Sequence, residues 1–449
     1  MPIRDIVLAG FIATVLPYAF RYAFVGVLLW TWIGVMNPHK LAFGFMYDAP
    51  VAIVIGLVTL ASLFTTRDRV KLQLAPPLVF AGLFVLWTCV TTAFAFFPEE
   101  SFVQLQKVLK IQIMLFVTAA VLYKWEHIRL FIWVNVLSLG FYGVKGGIYT
   151  ISTAGGGRVW GPPGGFIAGN NELALALIMA IPFMHYLRLT TPYIWVKRGL
   201  LVMMGLTAIS ALGSQSRGAL LAISAMGLVL WWRSPNKLIS AVIVTTLALS
   251  IWNFMPQSWH DRMDTIQSYE EDGSAMGRIF AWQTAANLAK DRVFGGGYDM
   301  YYQSVFSIYA PRVLNSRFDS TVARAAHSIY FQVLGEHGFI GLFLFVMVWV
   351  SAWRLAARLR RGTRDNPDEQ WLYYFGSMAQ VCLVGWVSGG AFLSLAYWDF
   401  PYSIAVALVV AQRWRNEHKE MPEVNPPVPP QDLSKLNFRQ RVVWWIRSA

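Results

Sequence analysis

"SIYFQVLGEHGFIGLFLFVMVWVSAWRLAARLRRGTR" runs from Ser328 to Arg364. Its front part, 329–353, is an apolar run that carries a Glu336–His337 pair. Its end holds Arg354, Arg358, Arg360, Arg361 and Arg364. An apolar run of this length can cross about 30 Å of hydrocarbon. A cluster of basic residues at one end marks the face that stays in the cytoplasm. The stretch therefore reads as a membrane span with a cytoplasmic end.

The composition agrees. Of 449 residues, 56% are hydrophobic and only 14% charged, against about 25% charged in soluble domains. The two cysteines, Cys89 and Cys382, both lie in apolar runs and show no zinc-finger spacing, which argues against a disulfide framework. The N-terminal MPIRDIVLAG has no separate charged region and no small-residue cleavage site. It reads as part of the first span.

Further apolar runs fall near 49–65, 76–97, 109–124, 128–150, 166–187, 198–213, 218–232, 236–255, 373–392 and 398–413. Basic loops recur after every second one. They hold Arg67, Arg69 and Lys71, then Lys124 and Arg129, then Arg188, Lys197 and Arg198, then Arg233 and Lys237, and finally "QRWRNEHK". The alternate loops, "FPEE", "TAGGGRVWGPPGG", "GSQSRG" and "YWDFP", belong outside. The expected fold is thus an all-α, polytopic integral membrane protein of about 12 transmembrane helices. The stretch 6–37 could be one long span broken near Pro17 or two short ones split at Arg21; loop charge favours one crossing, with both termini inside. Thirteen spans with an external N-terminus is the alternative. Spans 1–10 occupy 1–255. Residues 256–326 form a large external segment between spans 10 and 11, and spans 11 and 12 occupy 327–413. Residues 414–449 are a cytoplasmic tail, with a Pro-rich spacer and the basic, Trp-rich "KLNFRQRVVWWIRSA", which suits an interfacial helix. Within the external segment, "GRIFAWQTAANLAK" at 277–290 predicts a helix with Ile279, Trp282, Ala286 and Ala289 on one face. "GGG" at 295–297 ends it.

The residues that could do chemistry cluster at the external face. His327 precedes span 11. The N-terminus of a helix disfavours imidazolium, so a neutral ring there can accept a proton; a capping or anchoring role is the structural alternative. Arg217 sits in the tight "SQSRGA" turn. A phosphate suits its guanidinium fork, as do lipid head groups or helix-end carbonyls. Arg278 opens the 277–290 helix, where a bound phosphate or plain solvent could face it. Arg158, Lys145 and Glu172 are secondary candidates near them. A metal site at His327 and His337 fails on geometry, because ten residues of helix separate them by about 15 Å. No metal and no cofactor is expected.

With these residues in view, a family resemblance emerges. His327–Ser328, nine residues, then Gly338–Phe339–Ile340–Gly341 resembles the His-[Asn/Ser/Gln]-x9-Gly-x-x-[Gly/Thr/Tyr] signature of the O-antigen ligases, members of a superfamily with the O-antigen polymerases. The "SRG" at Arg217 and "GRIFAWQTA" ahead of a Gly-rich turn are similar to it too. The resemblance implies a glycosyltransferase of the bacterial inner membrane with a periplasmic active site. It would move glycan from undecaprenyl pyrophosphate to a sugar hydroxyl of lipid A–core oligosaccharide, without a metal and with inversion. It places His327 on the catalytic base and Arg217 and Arg278 on the pyrophosphate. His337 remains a polar-network candidate, and "GFIG" a helix-packing site. A polymerase or a protein O-glycan ligase with the same donor is the alternative. A transporter predicts an internal repeat and midplane charges, and a receptor leaves the arginine–histidine set unexplained.

Overall fold

The computed structural model describes residues 3–420 apart from 69, 235, 240, 243–244, 247–256, 258–272 and 313–318. Every regular element among them is helical. In chain order the α-helices are α1 (Ile3–Arg21), α2 (Ala23–Met36), α3 (Val51–Ser62), α4 (Pro76–Ala93), α5 (Pro98–Val121), α6 (Trp125–Ser152) and α7 (Asn170–Thr190). They continue with α8 (Ile194–Gly213), α9 (Arg217–Arg233), α10 (Gly273–Asp291), α11 (Gln303–Tyr309), α12 (Ile329–Arg360), α13 (Gln370–Gly389) and α14 (Asp399–Glu420). Proline at the first turn of α4 and α5, and Glu99 and Glu100 at the start of α5, suit helix N-termini, which have spare N–H groups and a positive dipole end.

Eight described helices, namely α1, α4 to α8, α12 and α13, are long and apolar enough to cross a membrane. The chain is a multi-pass membrane protein. Its centre is α7, buried without a break from Leu173 to Ala180 between α8 and α13. Leu57, Leu86, Trp195 and Val202 instead point outward and are largely exposed. That distribution suits a lipid solvent, in which an apolar surface costs nothing.

The expected single crossing over 6–37 is two helices. The chain breaks at Tyr22 (φ −128°, ψ 103°), where the N–H groups of Ala23 and Phe24 donate to Thr66 Oγ1 at 3.1 Å and Asp68 Oδ2 at 3.2 Å. These side chains satisfy donors that a helix start leaves open. α2 then runs back along α1. The Asp5 carboxylate, at the far end of α1, accepts from the N–H groups of Gly44 (3.1 Å) and Met46 (2.9 Å) beyond the end of α2. Residues 3–5 therefore lie at the end of the bundle opposite Tyr22 and Asp68. With 14 and 12 residues, α2 and α3 reach only about 21 and 18 Å.

Several of the loops grouped by charge lie together at one end of the bundle. Asp68, Lys124, Thr190, Asp368 and His418 line one cavity at one end, and Arg413 there donates to the Lys71 carbonyl. Loops 94–97, 292–302 and 393–398 meet at the other end, which is called here the site end. The expected span 236–255 lies largely outside the described residues, as does the tail beyond residue 420.

The helix expected over 277–290 is α10, and it packs on α12. Its buried residues include Phe280, Ala281, Thr284, Ala285, Leu288 and Ala289; of the expected face Ala289 is buried, while Ile279, Trp282 and Ala286 are half-buried. Trp282 is left free to reach the loop before α12.

Candidate active site

Residues 323–328 cross the site end without regular secondary structure, and α10 pins them there. The Trp282 indole donates to the Ala326 carbonyl at 2.7 Å, and its ring stacks on Phe331 with centroids 5.1 Å apart and planes 8° apart. Arg278 lies four residues before Trp282. That spacing puts both side chains on one face of the helix, so docking the tryptophan also aims the arginine at the histidine loop.

His327 sits in the left-handed region at φ 44°, a conformation uncommon outside glycine and worth a functional explanation. Its N–H donates to Ser394 Oγ at 2.9 Å. Gly277, Arg278, Arg324, Ala325 and His327 together line a cavity of about 320 Å³. Burial first, and the Arg278 charge second, hold the imidazole below its ordinary value of 6.5. The ring is therefore neutral near pH 7. The expected cause was the helix N-terminus; the structure assigns the effect to desolvation and a neighbouring cation.

The Arg278 charge is also felt at Glu172, in the first turn of α7. Three residues from distant parts of the sequence, Glu172, Arg278 and His327, thus share one electrostatic neighbourhood. Arg217 is the first residue of α9. Ser216 caps that helix, its Oγ accepting from the Ala219 N–H at 3.2 Å, and Gly218 abuts Phe392, whose ring also faces Trp282 at 6.4 Å. Arg158 Nε donates to Gln215 Oε1 at 3.1 Å, which ties the Gly-rich loop to the turn that carries Arg217. Asn170 Nδ2 donates to the Ser214 carbonyl at 2.8 Å and fixes the start of α7 to that same turn.

Two candidates stand apart. Lys145 is exposed on α6, whose neighbouring Gly146 and Gly147 press on α8. His337 is buried in a separate polar knot. Its Nδ1 pairs with Thr91 Oγ1 at 2.7 Å and its Nε2 with the Tyr397 hydroxyl at 2.9 Å. The same hydroxyl donates to Glu336, which also accepts from the Asp299 N–H at 3.2 Å.

Gly338 explains the knot. At φ 67°, ψ −171° it breaks α12, and loop 293–297 fills the break. The N–H groups of Gly296 and Gly297 donate to the carbonyls of Gly335 and Glu336, both at 2.9 Å. The "GFIG" stretch was expected to be a packing site. Gly341 does pack closely, against Trp87, but Gly338 is a break.

Sequence reasoning did not single out Arg324, Trp282 as an anchor, or Ser394. Arg324 had a signal, a cation three residues before the histidine, but no motif claimed it. Ser394 gave none, because 67 residues separate it from the backbone it holds. Among the described residues no three His, Cys, Asp or Glu side chains converge as a metal set.

A many-helix membrane protein with a histidine and arginines around one end cavity is a recognisable class. Residues 200–346, which run from α8 into α12 and contain Arg217, Arg278, Arg324 and His327, match the family model described as O-Antigen ligase. Residues 3–191 match a second model, described as a family of unknown function (DUF5935). Arg158 and Glu172 fall in that part. No curated protein matches the chain.

Proposed function

We propose that the protein is a glycosyltransferase that moves glycan from undecaprenyl pyrophosphate to an acceptor hydroxyl, that of a lipid A–core sugar, at the periplasmic face of the bacterial inner membrane. One observation carries this reading: a histidine held neutral shares one cavity with Arg278 in a segment that matches the O-Antigen ligase model.

Each part has a task. The leaving group is a lipid pyrophosphate, and the main demand on the protein is to stabilise its charge. Arg278 and Arg217 supply the countercharge, with Arg158 adding to the positive field. Glu172 holds Arg278 in place. The acceptor hydroxyl gives its proton to the His327 imidazole as its oxygen attacks the anomeric carbon in line. The bond to the pyrophosphate oxygen breaks in the same step, so the carbon inverts. Ser394 and the left-handed backbone set the direction of the ring. His337 supports the site from a distance, by locking the upper half of α12.

The test is transfer by purified protein in nanodiscs, with a defined lipid-linked glycan and purified lipid A–core as sole acceptor. Product formation that persists in EDTA is expected. Transfer only to a second lipid-linked glycan would make the protein a polymerase, and transfer only to a protein hydroxyl a protein ligase. Loss on chelation with recovery on adding Mg²⁺ would overturn the metal-free scheme.

A further inference from the structure

Helices α6 and α8 run side by side, and the way they separate leaves a groove. From Gly140 to Gly147 they touch closely. A Cβ at Gly143 would lie 2.2 Å from Thr207 Oγ1, and one at Gly147 2.3 Å from the Leu206 carbonyl oxygen. Small residues of this kind let membrane helices approach each other. Nearer the helix starts, the facing residues become Trp133, Leu137, Val196, Leu200 and Met203, and a cavity of about 740 Å³ opens among them. Gly199 also lines it, and an added Cβ there would meet nothing within 4 Å.

On α6 the groove runs from Glu126 to Leu137, an advance of about 16 Å along the helix. That is half of a hydrocarbon core of about 30 Å, the depth of one leaflet. A second spanning helix would call for a groove twice as long, whereas one acyl chain needs this much. The open end is polar. Glu126 and Arg129 stand three apart and share a face of α6, and the Arg129 guanidinium lies 5.0 Å from the centre of the Trp125 ring. Glu126 and Leu130 line a second cavity as well, so the two join there. Its wall carries Asp68, Asp368 and Glu417, with Lys124 the only lysine or arginine among the described lining residues. His127 lines it too; it is buried, and its Nδ1 has no hydrogen-bond partner among the described residues.

We propose that this groove is a binding site for a phospholipid with a primary-ammonium head group. The acyl chain lies along Leu137, Gly199 and Met203. The phosphate sits at Arg129 and adds to the contacts that the guanidinium already makes. The ammonium, a few atoms further on, reaches Glu126 and the carboxylates of the second cavity. A cation beside a carboxylate is the complement of a phosphate beside an ammonium. A primary ammonium has three N–H donors, which suit carboxylates and an imidazole nitrogen left to accept. A trimethylated head group has no donor, and a glycerol head group brings no cation to the carboxylates. The site lies at the opposite end of the bundle from His327 and does not depend on the transferase reading.

The test is lipid retention by the full chain, purified in detergent and titrated with phosphatidylethanolamine, phosphatidylcholine or phosphatidylglycerol. Native mass spectrometry reads the tightest-bound lipid, and melting temperature reads the fold. Wild type should retain phosphatidylethanolamine about tenfold better than either of the others, the worth of one charge-assisted hydrogen bond. Glu126→Gln should bring the three close to parity while lipid is still bound. Gly199→Leu fills the groove, so retention of all three should fall about tenfold or more, with a melting temperature in lipid-free detergent no lower than that of wild type. Equal retention of the three by wild type, or undiminished retention of phosphatidylethanolamine by Gly199→Leu, would overturn the proposal. So would a wild-type dimer that Gly199→Leu separates without loss of bound lipid, because a second copy would then cover the groove.

Discussion

His327 and His337 stand ten residues apart and share an amino-acid type, and the structure gives them opposite settings. His327 lies in a loop, on a left-handed backbone, with its ring on a cavity lined by cations. His337 is fully buried, and both of its ring nitrogens are engaged, by Thr91 and Tyr397. A histidine that accepts a proton from a substrate needs a ring edge that the substrate can reach. A histidine with both nitrogens bonded inside a core holds elements together. Histidine type and sequence neighbourhood do not separate the two roles; partners and burial do.

The contrast can be broken most directly at His327. His327→Asn keeps a residue that tolerates φ 44° and removes the base, so glycan transfer should fall about 10²–10⁴-fold with melting unchanged. Near wild-type transfer by that variant would sink the assignment. His337→Ala should do the reverse. It leaves the Thr91 and Tyr397 hydroxyls without their partner and opens a cavity, at a cost of about 3–5 kcal/mol. A marked drop in melting temperature is expected, with turnover per folded molecule little changed. Gly338→Ala sharpens the same point. A Cβ there would run into the Val293 carbonyl on a backbone at φ 67°, and about 1–3 kcal/mol of stability should go.

The smallest effect concerns pH. The folded protein holds His327 below 6.5, through burial and then the charge of Arg278. If the neutral ring is the base, transfer is retained at high pH and lost as pH falls through that lowered value. The acid limb of the profile should therefore lie below the ordinary histidine range. Residual activity of Arg278→Gln, measured across the same range, should show the limb moved towards higher pH, since one cause of the depression is gone. An unmoved limb would separate Arg278 from the ring.

Much of this was legible in the sequence, for reasons specific to each element. Loop arginines and lysines report sidedness because they are read directly against the membrane. The helix at 277–290 and its stop at 295–297 followed from local periodicity and glycine. What escaped depends on contacts between distant residues. A split of 6–37 at Arg21 was readable as an alternative, and α1 does end there; that Thr66 and Asp68 hold the break was not. The meeting of Glu172, Arg278 and His327 needs three helices docked together. Gly338 reads as packing within an apolar run, because its loop partners lie more than 40 residues upstream, at Val293 and Gly295. Arg324 was hidden because a lone loop arginine carries no pattern until the cavity it lines is seen.

The break at Gly338 also divides α12 mechanically. The part after it is anchored among lipid-facing helices, and the part before it is tied by Gly296, Gly297 and the Trp87 indole, whose Nε1 donates to the His337 carbonyl at 2.8 Å. An unbroken helix is a stiff rod that would carry tilt and stretch from the bilayer straight to its tip. A rod with a joint at residue 338, bolted to a loop just above that joint, passes on little of either. The orientation of the half that leads to His327 is therefore set by loop 293–297 and Trp87.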